Sequence, residues 1–479
     1  MIQNRANNLK SDIKHETQLL ILGGGPGGYT AAFRAADLGM QVTLVENRDT
    51  LGGVCLNVGC IPSKALLESV KALEGARELI KRGIIFKEPD LNLEALRVWK
   101  DGIVSQLASG LKSLARQRKV TLLKGHGVFT SLNTLRVDDK TDVKFDQAIL
   151  ALGSRPVQLS MLPNDSRIID STGALELKDI PKHLLIIGGG IIGMEMATIY
   201  AGLGAMVTVV EQQSNLLPLC DVDLVLPLYK RMRSKLEAIL LDTRVTDVQA
   251  QDDALYVKFQ SSTGVETSSK FDRILVAVGR RPNTDKVMLQ ELGLTPDDNG
   301  FLTVDKQQRT TNSKVFAIGD IVMGPMLAHK ASYEGRVAAE VAAGRKTINQ
   351  AQVIPQVAYC DPELAWVGLT ETEAKAQGLP YERSSIPWAA NGRAHTLGRT
   401  EGLTKMIVDP ETHKILGIGM VGPHAGDLIA EATLAMEANL EPGDIALTIH
   451  PHPTLSEIMA LTTEAYEGTL TEMYPSRRN

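Results

Sequence analysis

QLLILGGGPGGYTAAFRAADLGMQVTLVE, residues 18–46, holds the pattern that decides the fold. An apolar run ends in a glycine-rich stretch at residues 23–28, a helical segment follows, and the run QVTLVE closes on Glu46. The pattern returns at residues 184–211, LLIIGGGIIGMEMATIYAGLGAMVTVVE, and closes on Glu211. In both copies the glutamate lies 23 residues after the first glycine, Gly23 or Gly188.

A lone glycine motif carries little weight. Here each copy follows a strand, opens a helix and is completed by an acidic residue about 20 positions on, the context that dinucleotide binding requires. Gly23 and Gly188 permit the tight turn, Gly25 and Gly190 let backbone approach a pyrophosphate, and Gly28 and Gly193 let the helix pack on the strand. The helix N-terminus offers N–H groups and partial positive charge to phosphates. Glu46 and Glu211 can accept hydrogen bonds from ribose hydroxyls. Glu211 also opposes a 2′-phosphate, and Gln212, Gln213 and Ser214 supply no arginine, so NAD rather than NADP is predicted at the second copy. Each copy has a second half. Gly153 and Gly279 follow Phe145 and Phe271 by eight residues, and Pro156 and Pro282 follow them by eleven.

The 479 residues allow three domains at roughly 150 residues each. Lysine and arginine number 51 against 56 acidic residues, without the basic excess of a nucleic-acid binder. Four cysteines are too few for a secreted disulfide framework. Residues 1–16 show no apolar segment or small-residue cleavage site, so they read as a short leader on a cytoplasmic protein. Across residues 184–210 the only charge is Glu195. Gly188, Gly189 and Gly190 would weaken a membrane helix there, and Glu195 would cost several kcal/mol near the bilayer centre. A buried strand, turn and helix is predicted instead, with no membrane partner.

Cys55 and Cys60 begin nine residues after Glu46 and run into IPSK and the helix-periodic ALLESVKAL. Cys60 and Lys64 therefore lie near a helix start, where the helix end and a cation stabilise a thiolate. In a reducing compartment such a pair is catalytic or metal-binding more often than structural. Zinc usually takes four ligands at short spacings, and no second cysteine pair exists. No metal is predicted. Cys220 and Cys360 are solitary and read as inert.

From about residue 355 the character shifts. AWVGLTETEAKAQG and TKMIVDPETHKILGIGMVG suggest an antiparallel α+β layer with a turn at residues 409–413. His450 and His452 flank Pro451, with no obvious third metal ligand. Residues 454–457, TLSE, fit a helix-capping box. An imidazole with an ordinary pKa of about 6.5 is suited to remove a thiol proton.

GGVCLNVGCIPSK (residues 52–64), VFAIGD (315–320), PMLAHKA (325–331) and HPHPTLSE (450–457) occur in an order that resembles the pyridine nucleotide–disulfide oxidoreductases. The resemblance covers nearly the whole chain after about residue 17. It implies an α/β chain with two Rossmann-like domains, binding FAD and NAD, plus a C-terminal α+β dimerisation domain. The implied divisions are residues 17–156 for FAD, 157–282 for NAD, 283–354 returning to the FAD domain, and 355–479 for dimerisation. It implies a redox-active disulfide between Cys55 and Cys60 against the flavin ring. Lys64 matches the lysine beside the flavin, and Glu195 its ion-pair partner. Asp320 matches the aspartate on the ribityl chain, and Gly127 and Ala328 match backbone contacts to FAD. Val245 and Gly279 go with the NAD site. His452 matches the acid–base and Glu457 the residue that orients it, with His450 in support.

In this family the histidine reaches the other subunit's disulfide, which implies a homodimer. The implied reaction oxidises dihydrolipoamide on a lipoyl-bearing E2 protein, or a glycine-cleavage H-type protein, and reduces NAD⁺. No lipoyl domain precedes the first repeat, so the lipoyl group is expected on a partner. Glutathione- and mercuric-reductase types are the alternatives. The first usually favours NADPH, which Glu211 opposes. The second normally has a late cysteine pair, which TEMYPSRRN lacks.

Overall fold

Leu19, Leu20, Ile21 and Leu22 are all buried, because the strand that carries them is covered on both faces. A parallel strand in that position reads as a continuous apolar run rather than an alternating one. The computed structural model describes residues 13–85, 87 and 89–473. Within them the chain forms two compact units, each built from separate stretches.

The first unit comprises Met1–Pro62, Glu94–Pro156 and Arg280–Gln350. Its parallel strands lie in the order Thr121–Lys124, Val42–Glu46, Ile13–Leu22, Thr141–Leu150, Val315–Ala317. Thr134–Val137 and Gly127–Ser131 continue the sheet antiparallel. Successive side chains point to opposite faces of a strand, and the core divides accordingly. Leu19, Ile21, Leu44, Ile149 and Phe316 pack on helices Pro26–Asp37 and Ala328–Ala342 through Ala31, Ala35, Val337 and Ala338. Leu20, Leu22, Val45, Ala148 and Leu150 face Phe129, Leu135 and Phe145 instead.

Residues 13–16, read by sequence as leader, belong to the first strand and pair with Thr141–Leu150. The long partner strand extends past the apolar core and supplies hydrogen bonds that hydropathy does not register. Residues 1–12 of that leader lie outside the described residues.

The second unit comprises Ser63–Leu93, Val157–Gly279 and Ala351–Asn479. Here the second repeat forms a parallel sheet in the order Ala238–Leu240, Met206–Val210, His183–Ile187, Arg273–Val276, Ile168–Ile169. Helix Ile191–Gly202 is buried continuously from Gly193 to Tyr200, as expected for a helix apolar all round. Among the described residues no helix is long and apolar enough to cross a membrane. An antiparallel sheet, Thr243–Ala250, Leu255–Ser261 and Glu266–Phe271, closes one face through Val248, Val257 and Phe259.

The residues from 355 onward form a five-stranded antiparallel sheet, ordered Gln356–Ala358, Glu363–Gly368, Ile415–Gly422, Leu403–Val408, Glu382–Pro387. Helices Ala425–Glu437 and Glu457–Glu467 pack against it. The predicted turn is present: Asp409 accepts the N–H of Glu411 at 2.9 Å between the strands ending at Val408 and starting at Ile415. Residues 63–93, placed by sequence in the segment 17–156, pack with the second unit. A Cβ on Gly202 would lie 2.2 Å from Val70, and Glu74 and Glu78 pair with Lys235 and Arg231 at 2.6 and 2.8 Å.

Candidate active site

The two glycine turns share one geometry. Gly23 and Gly188 take φ of +107° and +108°. A Cβ on Gly28 would sit 1.8 Å from the carbonyl oxygen of Gly23, and one on Gly193 2.0 Å from that of Gly188. These contacts leave no room for a side chain, so each helix abuts its strand directly. At Gly190 a Cβ would meet nothing within 4 Å, and at Gly25 only a backbone carbon at 3.9 Å. In the helices that follow, Pro26–Asp37 and Ile191–Gly202, the first N–H groups have no side-chain cap, the arrangement that suits a helix N-terminus to accept a phosphate.

The glutamates match as well. Glu46 accepts the N–H of Gly24 at 2.7 Å and that of Arg48 at 2.9 Å. Glu211 accepts the N–H of Gly189 at 2.7 Å and that of Gln213 at 2.8 Å. Each carboxylate is thus aimed by its own turn while keeping lone pairs for a ribose. Val245 lies on the strand Thr243–Ala250, whose first N–H donates to the carbonyl of Glu211 at 3.0 Å. Gly279 is exposed at φ +127°, just past the strand Arg273–Val276.

In the first unit, Asp320 lies in the turn Gly319–Ile321. It accepts a hydrogen bond from Ser154 at 2.5 Å, and Arg280 donates to that same hydroxyl at 2.7 Å. Ala328 opens a helix that also lacks a side-chain cap. Gly127 is buried, and a Cβ there would lie 2.8 Å from the terminal methyls of both Leu22 and Leu135, so a larger residue would have to displace them. Cys55 is half-buried on the short helix Gly53–Val58, and Cys60 is exposed as the first residue of the helix Cys60–Ile80. Burial, reinforced by Cys55, pushes the Tyr29 phenol above its ordinary range.

In the second unit, Lys64 Nζ lies 2.9 and 2.8 Å from the two oxygens of Glu195. The Tyr359 N–H donates to Glu195 at 3.1 Å, and the Tyr359 ring lies under the ammonium at 4.6 Å. Tyr359 was not picked out by sequence, since its place depends on contacts over 164 residues. His452 Nδ1 lies 2.8 Å from Glu457 Oε1, and the imidazole is 78% exposed. The other oxygen of Glu457 accepts the Thr454 N–H at 2.7 Å. Only half of the predicted capping box forms: Glu457 accepts that N–H, but Thr454 Oγ1 donates to the Pro451 carbonyl at 2.7 Å, and the helix opens at Glu457 without a side-chain cap. His450 differs, because Thr448 O and Glu431 Oε1 take both its ring nitrogens at 2.9 and 2.7 Å. It braces the loop and has no nitrogen left for proton transfer.

Cys220 and Cys360 are buried, which pushes both thiols far above the ordinary range. Among the described residues one carboxylate trio, Asp221, Asp223 and Glu371, is close enough to hold an ion. Lys405 Nζ already occupies it, at 2.7, 2.7 and 2.9 Å.

Residues 17–335 match the family described as pyridine nucleotide-disulphide oxidoreductase, and residues 354–463 match its dimerisation domain. The chain belongs to the pyridine nucleotide-disulphide oxidoreductase family. Dihydrolipoyl dehydrogenase from Haemophilus influenzae is 50% identical over 463 residues, 96% of each chain. The enzyme of that name from Vibrio cholerae is 49% identical over 462 residues, 96% of this chain and 97% of the other. Among solved structures, the HOCl-induced flavoprotein disulfide reductase RclA from Escherichia coli superposes with a TM-score of 0.83 at 26% identity, covering 93% of this chain and 99% of that one.

As a member of this family the chain is a flavoprotein oxidoreductase with FAD and NAD as cofactors. The turns, uncapped helices and aimed glutamates fit both groups. The C-terminal sheet is the family's dimerisation domain and the protein is a homodimer. In one subunit Leu434, Leu447 and Ile449 are 69%, 86% and 96% exposed beside the histidine loop.

Proposed function

We propose that this homodimer oxidises dihydrolipoamide to lipoamide and reduces NAD⁺ to NADH. The observation that carries the reading is the His452–Glu457 pair, an exposed imidazole held by a carboxylate, in a chain that also carries the Cys55 and Cys60 pair and is half identical to dihydrolipoyl dehydrogenases. Glu457 holds Nδ1 and leaves Nε2 outward to take a thiol proton. The resulting substrate thiolate attacks Cys55 Sγ. The Cys55–Cys60 bond breaks, and Cys60 leaves as a thiolate. The second substrate thiol, once deprotonated, attacks the substrate sulfur bound to Cys55, closes the lipoamide disulfide and releases Cys55. FAD, when bound, supplies the two-electron relay between the dithiol and the nicotinamide.

Gly23, Gly25, Gly28, Glu46, Gly127, Asp320 and Ala328 are assigned to FAD, as is Lys64 with Glu195 as its counter-charge. Gly188, Gly190, Gly193, Glu211, Val245 and Gly279 are assigned to NAD. His452 is assigned to the disulfide of the second subunit. The lipoyl group is placed on an E2 or H-type protein of a cytoplasmic 2-oxo acid or glycine-cleavage system. Parallel assays with dihydrolipoamide, glutathione and Hg(II) test the substrate. Cys55→Ser and His452→Gln are each expected to lower dihydrolipoamide turnover by roughly 10²-fold or more while FAD stays bound. Near-normal turnover in either variant removes that residue from the mechanism.

A further inference from the structure

Lys330 and Glu334 are buried charges of the first unit, 6% and 4% exposed, to which the reaction above gives no task. They lie one turn apart on helix Ala328–Ala342, with Nζ and Oε1 3.0 Å apart. A buried ion pair is seldom more stabilising than apolar residues of the same volume, so stability alone does not account for it. Its remaining contacts converge on one residue. Glu334 Oε2 accepts the N–H of Gly319 at 2.7 Å, and Lys330 Nζ donates to the carbonyl of Gly319 at 3.1 Å. Gly319 takes φ +74° in tight contact with Ala331, where a Cβ would have only 3.1 Å. The next residue is Asp320.

Both polar groups of one left-handed glycine are thus gripped by opposite charges from a single rigid helix. Burial pushes the Glu334 carboxyl up, and Lys330 and the Gly319 N–H counteract it only in part. Losing Lys330 would therefore loosen the carboxylate as well. Ser154 steadies the Asp320 side chain, but nothing in that hydrogen bond sets the path of the backbone entering it.

We infer that the Lys330–Glu334 pair is a positioning device for FAD: by pinning the Gly319 peptide it presents Asp320 to the ribityl chain. This rests on the assignment of Asp320 to FAD, and the test separates the two. FAD is titrated into apo-protein, followed by flavin fluorescence and by visible circular dichroism of the bound flavin. The variants are D320N, K330M and K330M/E334L, the last two also in the D320N background. K330M/E334L leaves no stranded charge, and the thermal midpoint of its apo-protein reports folding independently.

D320N, K330M and K330M/E334L are each expected to weaken FAD binding by on the order of tenfold and to alter the flavin dichroism. In the D320N background the pair substitutions should weaken binding by less than about twofold more, because groups acting through one another are not additive. Unchanged affinity in D320N overturns the assignment of Asp320 itself. Weakened binding in D320N with normal binding in the pair variants, or full additivity with D320N, overturns the positioning role alone. If the methionine variants fail to fold, Glu334→Gln, which keeps an acceptor for the Gly319 N–H, carries the same non-additivity test.

Discussion

Two histidines two residues apart show how a single neighbour decides a role. His450 has both ring nitrogens taken by Thr448 and Glu431, whereas His452 has one taken by Glu457 and its ring open to solvent. The imidazole type is the same; only the partner count makes one a brace and leaves the other a ring nitrogen for the proton transfer proposed above. Glu211 is decided in the same way. Its oxygens are anchored by two backbone N–H groups, so under the proposed NAD assignment the charge is fixed where it would repel a 2′-phosphate. Replacing Glu211 by alanine removes both the ribose acceptor and that repulsion. The KM for NAD⁺ is expected to rise on the order of tenfold, while the KM for NADP⁺ rises less or falls. Steady-state kinetics with both nucleotides checks this, and an undiminished preference for NAD⁺ would show that Glu211 does not set the choice.

At the scale of the element, the strand–turn–helix repeat separates glycines that packing requires from glycines with open space beside them. Gly193 has no space for a Cβ, 2.0 Å from the Gly188 carbonyl, while Gly190 has open space. Gly193→Ala should therefore destabilise the protein by about 1–3 kcal/mol through overpacking. Gly190→Ala should leave the thermal midpoint unchanged and still weaken NAD⁺ binding, because its methyl group occupies the ligand's approach. Calorimetry and nucleotide titration on both variants test the distinction, and equal loss of stability in the two would refute it. This repeat was legible in sequence because all its parts lie within 29 residues and each has a local steric reason. The His452–Glu457 pair was expected only through the family resemblance, since residues 454–457 taken alone read as a helix-capping box. Tyr359 under Lys64, the Gly319 pin and the side taken by residues 63–93 were not legible in sequence. Those arrangements depend on partners brought together by the fold, such as Glu195 and Tyr359, and no local pattern of polarity marks them. The first strand's extension to Ile13 was missed because its pairing is made by backbone alone.

For the molecule as a whole, the C-terminal sheet is tied to the second dinucleotide fold within the second unit, and a largely buried ionic cluster is part of that tie. Asp361 is set against Arg231 at 2.8 Å and Arg399 at 2.5 Å, and Arg231 also pairs with Glu78 at 2.8 Å. Burial pushes the Asp361 carboxyl up, but Arg399 and Arg231 outweigh it and hold it below the ordinary range. Asp221 and Glu371 follow the same pattern, burial being outweighed by Lys405. A carboxyl with a lowered folded pKa contributes stability that is complete above its unfolded value, about 4, and is lost as pH falls through the folded value. The dimer should therefore hold its stability from neutral pH down to about pH 4 and lose it steeply below. Asp361→Asn leaves Arg231 and Arg399 without their buried counter-charge, and at pH 7 it should cost roughly 3–5 kcal/mol. The gap between this variant and the parent should then narrow below about pH 4, where Asp361 of the unfolded parent starts to bind a proton, and be lost as pH falls through the lowered folded value. Urea unfolding at a fixed subunit concentration, since dimer stability is concentration-dependent, measures both. A gap of constant size from pH 7 into acid would mean that the charge of Asp361 does not hold the sheet in place.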